Sequence, residues 1–181
     1  MPVKKLTQMA MLAAISIVLV FFIRLPIIPA APFLEYTPGD VPLMLAAFIF
    51  GPASGLILVF VTAVIQGVTV SAHSGIIGIV MNILAGGSYV LVAGLIYSKS
   101  QNKTVMSLIL AMAAGIVTTT VTMVGWNLIF VPIFLGVPRE VVLNMIIPVF
   151  IPFNIIRMGL NSVFTFILYK SLKTLIPGWL G

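Results

Sequence analysis

Long apolar runs, broken at short polar or proline-rich joints, account for most of this chain. They cover about 6–24, 41–50, 53–70, 76–97, 104–134 and 148–172. Each is apolar all round instead of along one stripe, the pattern of helices surrounded by lipid or by other helices. The joints are distinct. LPIIPAAPFLEYTPGD (25–40) carries four prolines, which exclude a regular helix there. Gly51-Pro52, SAHSG (71–75), SKSQNK (98–103) and GVPRE (136–140) separate the others. The pattern predicts an all-α integral membrane protein: one membrane domain over 1–181, with six transmembrane helices. Pro132 predicts an interruption late in the fifth run. The second run is the weak point, because about ten residues rise only ~15 Å against a hydrocarbon core of ~30 Å. That helix must tilt, extend into its flanks or be sheltered by protein.

Composition narrows the class. Of 181 residues, 61% are hydrophobic and 7% charged, where a soluble domain carries roughly a quarter charged. The bilayer is the expected solvent, and no length is left for a soluble catalytic domain. The net charge of +6 does not indicate nucleic acid, because the cations are scattered at the ends of the runs. Six spans put both termini, the 51–52 turn and the 98–103 loop on one side, which collects all six lysines. By the positive-inside rule that side is cytoplasmic. The segment 1–31 has the outline of a signal peptide, but its apolar run is long and more spans follow, so an uncleaved first helix is expected. Spans 1–3 do not visibly repeat in 4–6, which argues against an inverted-repeat transporter.

Cysteine is absent, histidine occurs once and acids three times. That inventory leaves no material for a thiolate, a metal cluster or a paired-carboxylate hydrolase, so an enzyme is not expected. No G-x-x-x-x-G-K-[ST] loop is present to hold ATP.

The chemistry-bearing residues are few. Arg157 lies about nine residues into the last run, with Asn154 and Asn161 one turn to either side. The spacing puts three polar heads on one helix face. A cation at that depth faces a cavity or a partner, or else snorkels to the surface; the shared face favours a ligand pocket. Asn127, in GWNLIF, fits either a ligand contact or an interhelical hydrogen bond, with Trp126 beside it as an interfacial anchor. Asn82, Gly86 and Tyr89 share a face of the fourth run, where the glycines favour helix packing; Gln66 is ambiguous. Phe33, Leu34 and Tyr36 form either a lid or an interfacial anchor. Asp40 reads as a helix N-cap, and His73 as an exposed turn residue. Ala10 and Ala14, like Gly51 and Gly55, form small-xxx-small patches that let helices approach closely.

With these residues in place, the chain resembles the S components, the membrane-embedded substrate-binding subunits of energy-coupling factor (ECF) vitamin transporters, and among them the riboflavin-specific type. The resemblance spans nearly the whole chain. It rests on FLEYTPGDVPLMLAAFIFGPASG (33–55), GIIGIVMNILAGGSYVLVAGLIY (75–97), NLIFVPIFLG (127–136) and IIPVFIPFNIIRMGLNS (146–162). It implies the six-helix S-component fold and an outward-facing pocket among loop one and spans four to six. Asn127, Asn154 and Arg157 would meet a flavin ring, Arg157 standing where the family pattern usually has lysine. Asn161, Asn82, Tyr89, Phe33 and Leu34 are further candidate ligand contacts. Ala10 and Ala14 would dock on a transmembrane coupling subunit served by two ATPase subunits. The implied function is high-affinity riboflavin uptake across a bacterial cell membrane, with FMN, pantothenate or another cofactor precursor as alternative ligands.

Overall fold

The computed structural model describes residues 3–175, except the side chains of His73 and Leu175. The helices are α1 Val3–Phe22, α2 Asp40–Phe50, α3 Pro52–Val68, α4 Gly75–Lys99, α5 Val105–Leu135, α6 Arg139–Met145 and α7 Ile151–Leu175. Among the described residues, four stretches are long and apolar enough to cross a bilayer: α1, α4, α5 and the α6–α7 run Arg139–Thr174. The shorter apolar helices α2 and α3 have 11 and 17 residues. The six expected runs therefore resolve into four of spanning length and two shorter ones.

The short second run persists because protein surrounds it. Every residue of α2 from Asp40 to Phe48 is buried, against α1, α3, α4 and α7. Its Met44, Leu45 and Phe48 join Tyr89, Tyr97, Met112 and Met158 in the main core. A helix walled by side chains needs no lipid-spanning length. The outer faces of α1, α5 and α7 are apolar and exposed, as at Val18, Val117, Val121, Val163 and Ile167. That inversion suits a lipid solvent.

Joints follow local chemistry. Gly51 links α2 to α3 with φ at +93°, a conformation that side chains avoid; Pro52 then opens α3, where a missing N–H costs nothing. Pro132 does not interrupt α5. The helix continues to Leu135 and ends on Gly136 in the left-handed conformation, since one lost backbone bond is tolerable in a well-packed apolar helix. The larger irregularity lies where Pro148 and Pro152 fall four residues apart. There Ile146–Phe150 widens into a π turn between α6 and α7, so the last run begins well before Pro148. Two missing donors explain the wider turn.

Loop one is not formless. Leu25–Pro26 (β1) pairs antiparallel with Glu35–Tyr36 (β2), with Leu25 opposite Tyr36. Gly39 lets this loop press on α1, where the Ser16 hydroxyl donates to the Gly39 carbonyl at 2.7 Å. The joint at Ala72–Ser74 is a single 3-10 turn; the side chain of His73 lies outside the described residues.

The α4–α5 contact is close-packed at Gly115, where an added Cβ would sit 2.9 Å from the buried Tyr89 ring and 3.1 Å from Ala93. Gly115→Ala should destabilise the protein by about 1–3 kcal/mol, the usual overpacking cost. A lowered thermal midpoint in detergent would show it; an unchanged one would mean that the two helices separate freely.

Candidate functional site

Four parts of the fold converge at one end of the helix assembly: the end of α1 with loop one, the α3–α4 joint, the last half of α5 and the start of α7. Between them lies a cavity of about 150 Å³, roughly ten times the space one water needs. The lysines lie at the opposite helix ends: Lys4 and Lys5 open α1, Lys99 closes α4, Lys103 precedes α5, and Lys170 and Lys173 end α7.

Arg157 enters the cavity wall from α7. It does not snorkel: its side chain is 12% exposed, and the guanidinium meets Asp40. Nε and Nη2 both donate to Asp40 Oδ2, at 3.1 and 2.9 Å. Asn161, one turn along, adds its Nδ2 to the same oxygen at 3.2 Å and to the Thr37 carbonyl at 3.1 Å. Asp40 is therefore no side-chain N-cap. It is the first residue of α2, it makes no capping bond, and its carboxylate joins α2 to α7. Its charge still complements the positive end of the α2 dipole. Of the Arg157 donors, Nη1 is left without a partner among the described residues and is available to the cavity.

Asn154 also lines the cavity. Its Nδ2 donates to the Phe150 carbonyl at 2.7 Å, at the end of the π turn, which fixes the amide and leaves its oxygen free. Asn127 enters from α5, only 2% exposed. Its amide makes no hydrogen bond to any described residue, so the interhelical-bond reading fails. Asn82 from α4 and Gln66 from α3 also line the cavity with unengaged amides. Buried amides normally find partners; several open ones around a single hollow make a recognition surface. Phe33, Leu34, Met81, Met123, Phe130 and Phe153 supply the apolar lining. Trp126 stacks on Phe130 with centroids 5.5 Å apart.

Loop one forms the rim. Phe33 lies 6.4 Å from Phe134 of α5, and with Leu34 it packs on the smaller core around Val131, Val142 and Phe150. Arg24 fastens the other side. Its Nη2 meets Glu35 at 2.7 Å and donates to Ser71 Oγ at 3.0 Å, while Nη1 donates to the Val70 carbonyl at 2.9 Å. Arg24 and Glu35 both line the cavity. Tyr36 points its hydroxyl into protein without a partner among the described residues; burial first, then the Asp40 carboxylate, push that hydroxyl up from its ordinary pKa.

Six of the sequence-derived candidates thus line one hollow: Asn127, Asn154, Arg157, Asn82, Phe33 and Leu34. Two do not. Tyr89 lies two turns along α4 from Asn82, is fully buried beyond the cavity lining and shares a hydrogen bond with Ser162 of α7 at 2.7 Å. Asn161 holds Asp40 and loop one. Both share a helix face with cavity residues but sit one or two turns too deep, so their role is to brace α7. Sequence reasoning missed Arg24, Glu35, Thr37, Ser71 and Ser74 in the lining, because charged and hydroxyl residues in loops are ordinarily solvated. Ala10 and Ala14 are both exposed on α1.

The arrangement of an apolar hollow with a few fixed polar groups suits binding of a small molecule, within a helical membrane protein. The comparisons agree. Residues 4–169 match the model of the family described as ECF transporter, substrate-specific component, and the chain belongs to that family. It is 30% identical over 181 residues to Riboflavin transporter RibU of Streptococcus thermophilus, covering 96% of this chain and 84% of that one. It is 31% identical over 178 residues to Riboflavin transporter RibU of Staphylococcus aureus, covering 96% and 92%. A solved structure described as "Structure and mechanism of the S component of a bacterial ECF transporter" superposes with a TM-score of 0.83 at 32% identity, covering 96% of this chain and 97% of that one. Fold and relatives are those of multi-pass membrane transporter components, not of enzymes.

Removing one partner of a buried ion pair costs about 3–5 kcal/mol, whereas replacing both by apolar groups is often neutral. Asp40→Ala should therefore lower the thermal midpoint more than the double replacement Asp40→Leu with Arg157→Met. Equal losses would mean that the pair contributes only through packing.

Proposed function

We propose that the chain is the riboflavin-binding subunit of an ECF-type importer in a bacterial cell membrane, binding its vitamin with high affinity from the outside. One observation carries the reading. Asn127, Asn154 and Arg157 surround a single hollow, and each retains bonding capacity that no described residue uses. An isoalloxazine ring offers carbonyls and ring nitrogens on one edge and flat apolar faces. Amide and guanidinium groups serve the edge; Phe130, Phe153 and Met123 serve the faces. The names of the two relatives support the same ligand.

Charge favours the vitamin over FMN, its phosphate ester. The two cations on the cavity are each matched to a carboxylate: Arg24 to Glu35, Arg157 to Asp40. A phosphate dianion entering the hollow would meet no unpaired cation, and burying such a charge without one is costly.

Uptake needs partners, because this chain has no phosphate loop of its own. A transmembrane coupling subunit and two ATPase subunits fill that role in this reading, with the exposed Ala10 and Ala14 on α1 as the docking patch. The cavity end would face outward and the lysine end the cytoplasm, in keeping with the positive-inside rule.

Titration of the purified protein tests this, with quenching of tryptophan fluorescence by the bound flavin as the signal. Riboflavin should bind more tightly than FMN. Arg157→Ala should weaken riboflavin binding by about 1.5–3 kcal/mol, roughly 10- to 100-fold. Unchanged affinity in that variant would remove Arg157 from the site, and tighter binding of FMN would overturn the charge argument.

A further inference from the structure

A second concavity lies at the opposite end of the molecule, between the end of α4, the start of α5 and the end of α7. Lys103, Lys170 and Lys173 line it. Lys103 comes from the joint before α5, while Lys170 and Lys173, three residues apart, share one face of α7. No carboxylate lines the groove among the described residues. The three acids of the chain are elsewhere: Glu35 and Asp40 are committed to Arg24 and Arg157, and Glu140 sits in the first turn of α6. None of the three ammonium groups has a hydrogen bond or ion pair with any described residue. Three like charges gathered in one groove repel unless an anion joins them.

The groove itself favours an anion. α5 begins on its wall, with Thr104 as the capping residue, so the positive end of a 31-residue helix adds to the lysine field. The floor is apolar and closed to water: Leu108 is buried, Phe166 is partly buried, and the hydroxyls of Tyr97 and Tyr169 are satisfied by each other at 2.9 Å. Beyond the lysines, Met106 and Ile109 on α5 and Ile167 and Leu168 on α7 are exposed and apolar. A ligand that matches all of this has a negative head and apolar tails.

We infer that this groove holds the headgroup phosphate of one anionic phospholipid, with its acyl chains along the exposed faces of α5 and α7. Basic pockets between membrane helices are suited to such headgroups. The lipid neutralises the unpaired positive charge of the groove and joins α4, α5 and α7 where no side-chain ion pair among the described residues does so.

The test uses the full chain in detergent, titrated with phosphatidylglycerol or phosphatidylcholine, and read by thermal midpoint and by native mass spectrometry. Phosphatidylglycerol should raise the midpoint and leave one retained lipid per protein; phosphatidylcholine should do neither. Lys170→Gln with Lys173→Gln should weaken phosphatidylglycerol binding at least tenfold. Lys4→Gln with Lys99→Gln, an equal charge loss at the same end, should leave it intact. If the first double variant does not fold, Lys103→Gln, in a joint, reads the same groove. Equal weakening in both double variants would reduce the site to diffuse attraction and overturn the proposal. So would a full midpoint shift from inorganic phosphate alone, which would make the ligand a soluble anion, or displacement of the lipid by polyglutamate at low concentration, which would point to an acidic protein segment.

Discussion

The carboxylate of Asp40 and the guanidinium of Arg157 meet inside an apolar body, and the geometry of the cavity depends on that meeting. One oxygen accepts from Nε, from Nη2 and from the amide of Asn161. Neither ion would be stable alone at that depth. Together they join the first residue of a largely buried helix to the helix that carries Asn154. The pair also fixes the guanidinium plane, so that one nitrogen is presented to the hollow while the rest is engaged. Loop one is drawn into the same knot, because Asn161 also holds the Thr37 carbonyl.

Around that knot the polar groups divide into two kinds. Asp40, Asn161, Arg24, Glu35, Tyr89 and Ser162 bond one another or the backbone, and they shape the cavity. Asn127, Asn82 and Gln66 bond no described residue, and they are what a ligand would meet. A merely structural polar core would satisfy its amides internally. Here three of the unengaged amides, Asn127, Asn82 and Gln66, line one hollow with aromatic and methionine walls, whereas the unpartnered Gln8 Nε2 and Asn161 Oδ1 belong to residues outside it; that clustering is the physical ground for reading the hollow as a receptor for a flat, polar-edged molecule.

Much of the helical framework was legible in the sequence, because apolar runs and proline-rich joints report directly on which segments avoid water. The ends of α4 and α5 fall within a residue or two of the expected runs for that reason. What local pattern cannot carry is pairing over distance. Asp40 and Arg157 are 117 residues apart, so Asp40, seen beside Val41-Pro42, looks like a helix cap. Helical spacing placed Tyr89 and Asn161 on the right faces but not at the right depth, since depth is set by packing and not by period. Arg24 and Glu35 looked like solvated loop charges until loop one folded over the α3–α4 joint. The α2 helix was too short to be a span on its own, and only its burial explains how it is tolerated.

The small molecules that the protein retains after purification from a flavin-containing host decide the matter most directly. If the hollow binds riboflavin, mass spectrometry of the released material gives riboflavin in near-stoichiometric amount, and the protein solution shows the visible absorption of a flavin. A colourless preparation that takes up no riboflavin when the vitamin is added, yet remains folded, would contradict it.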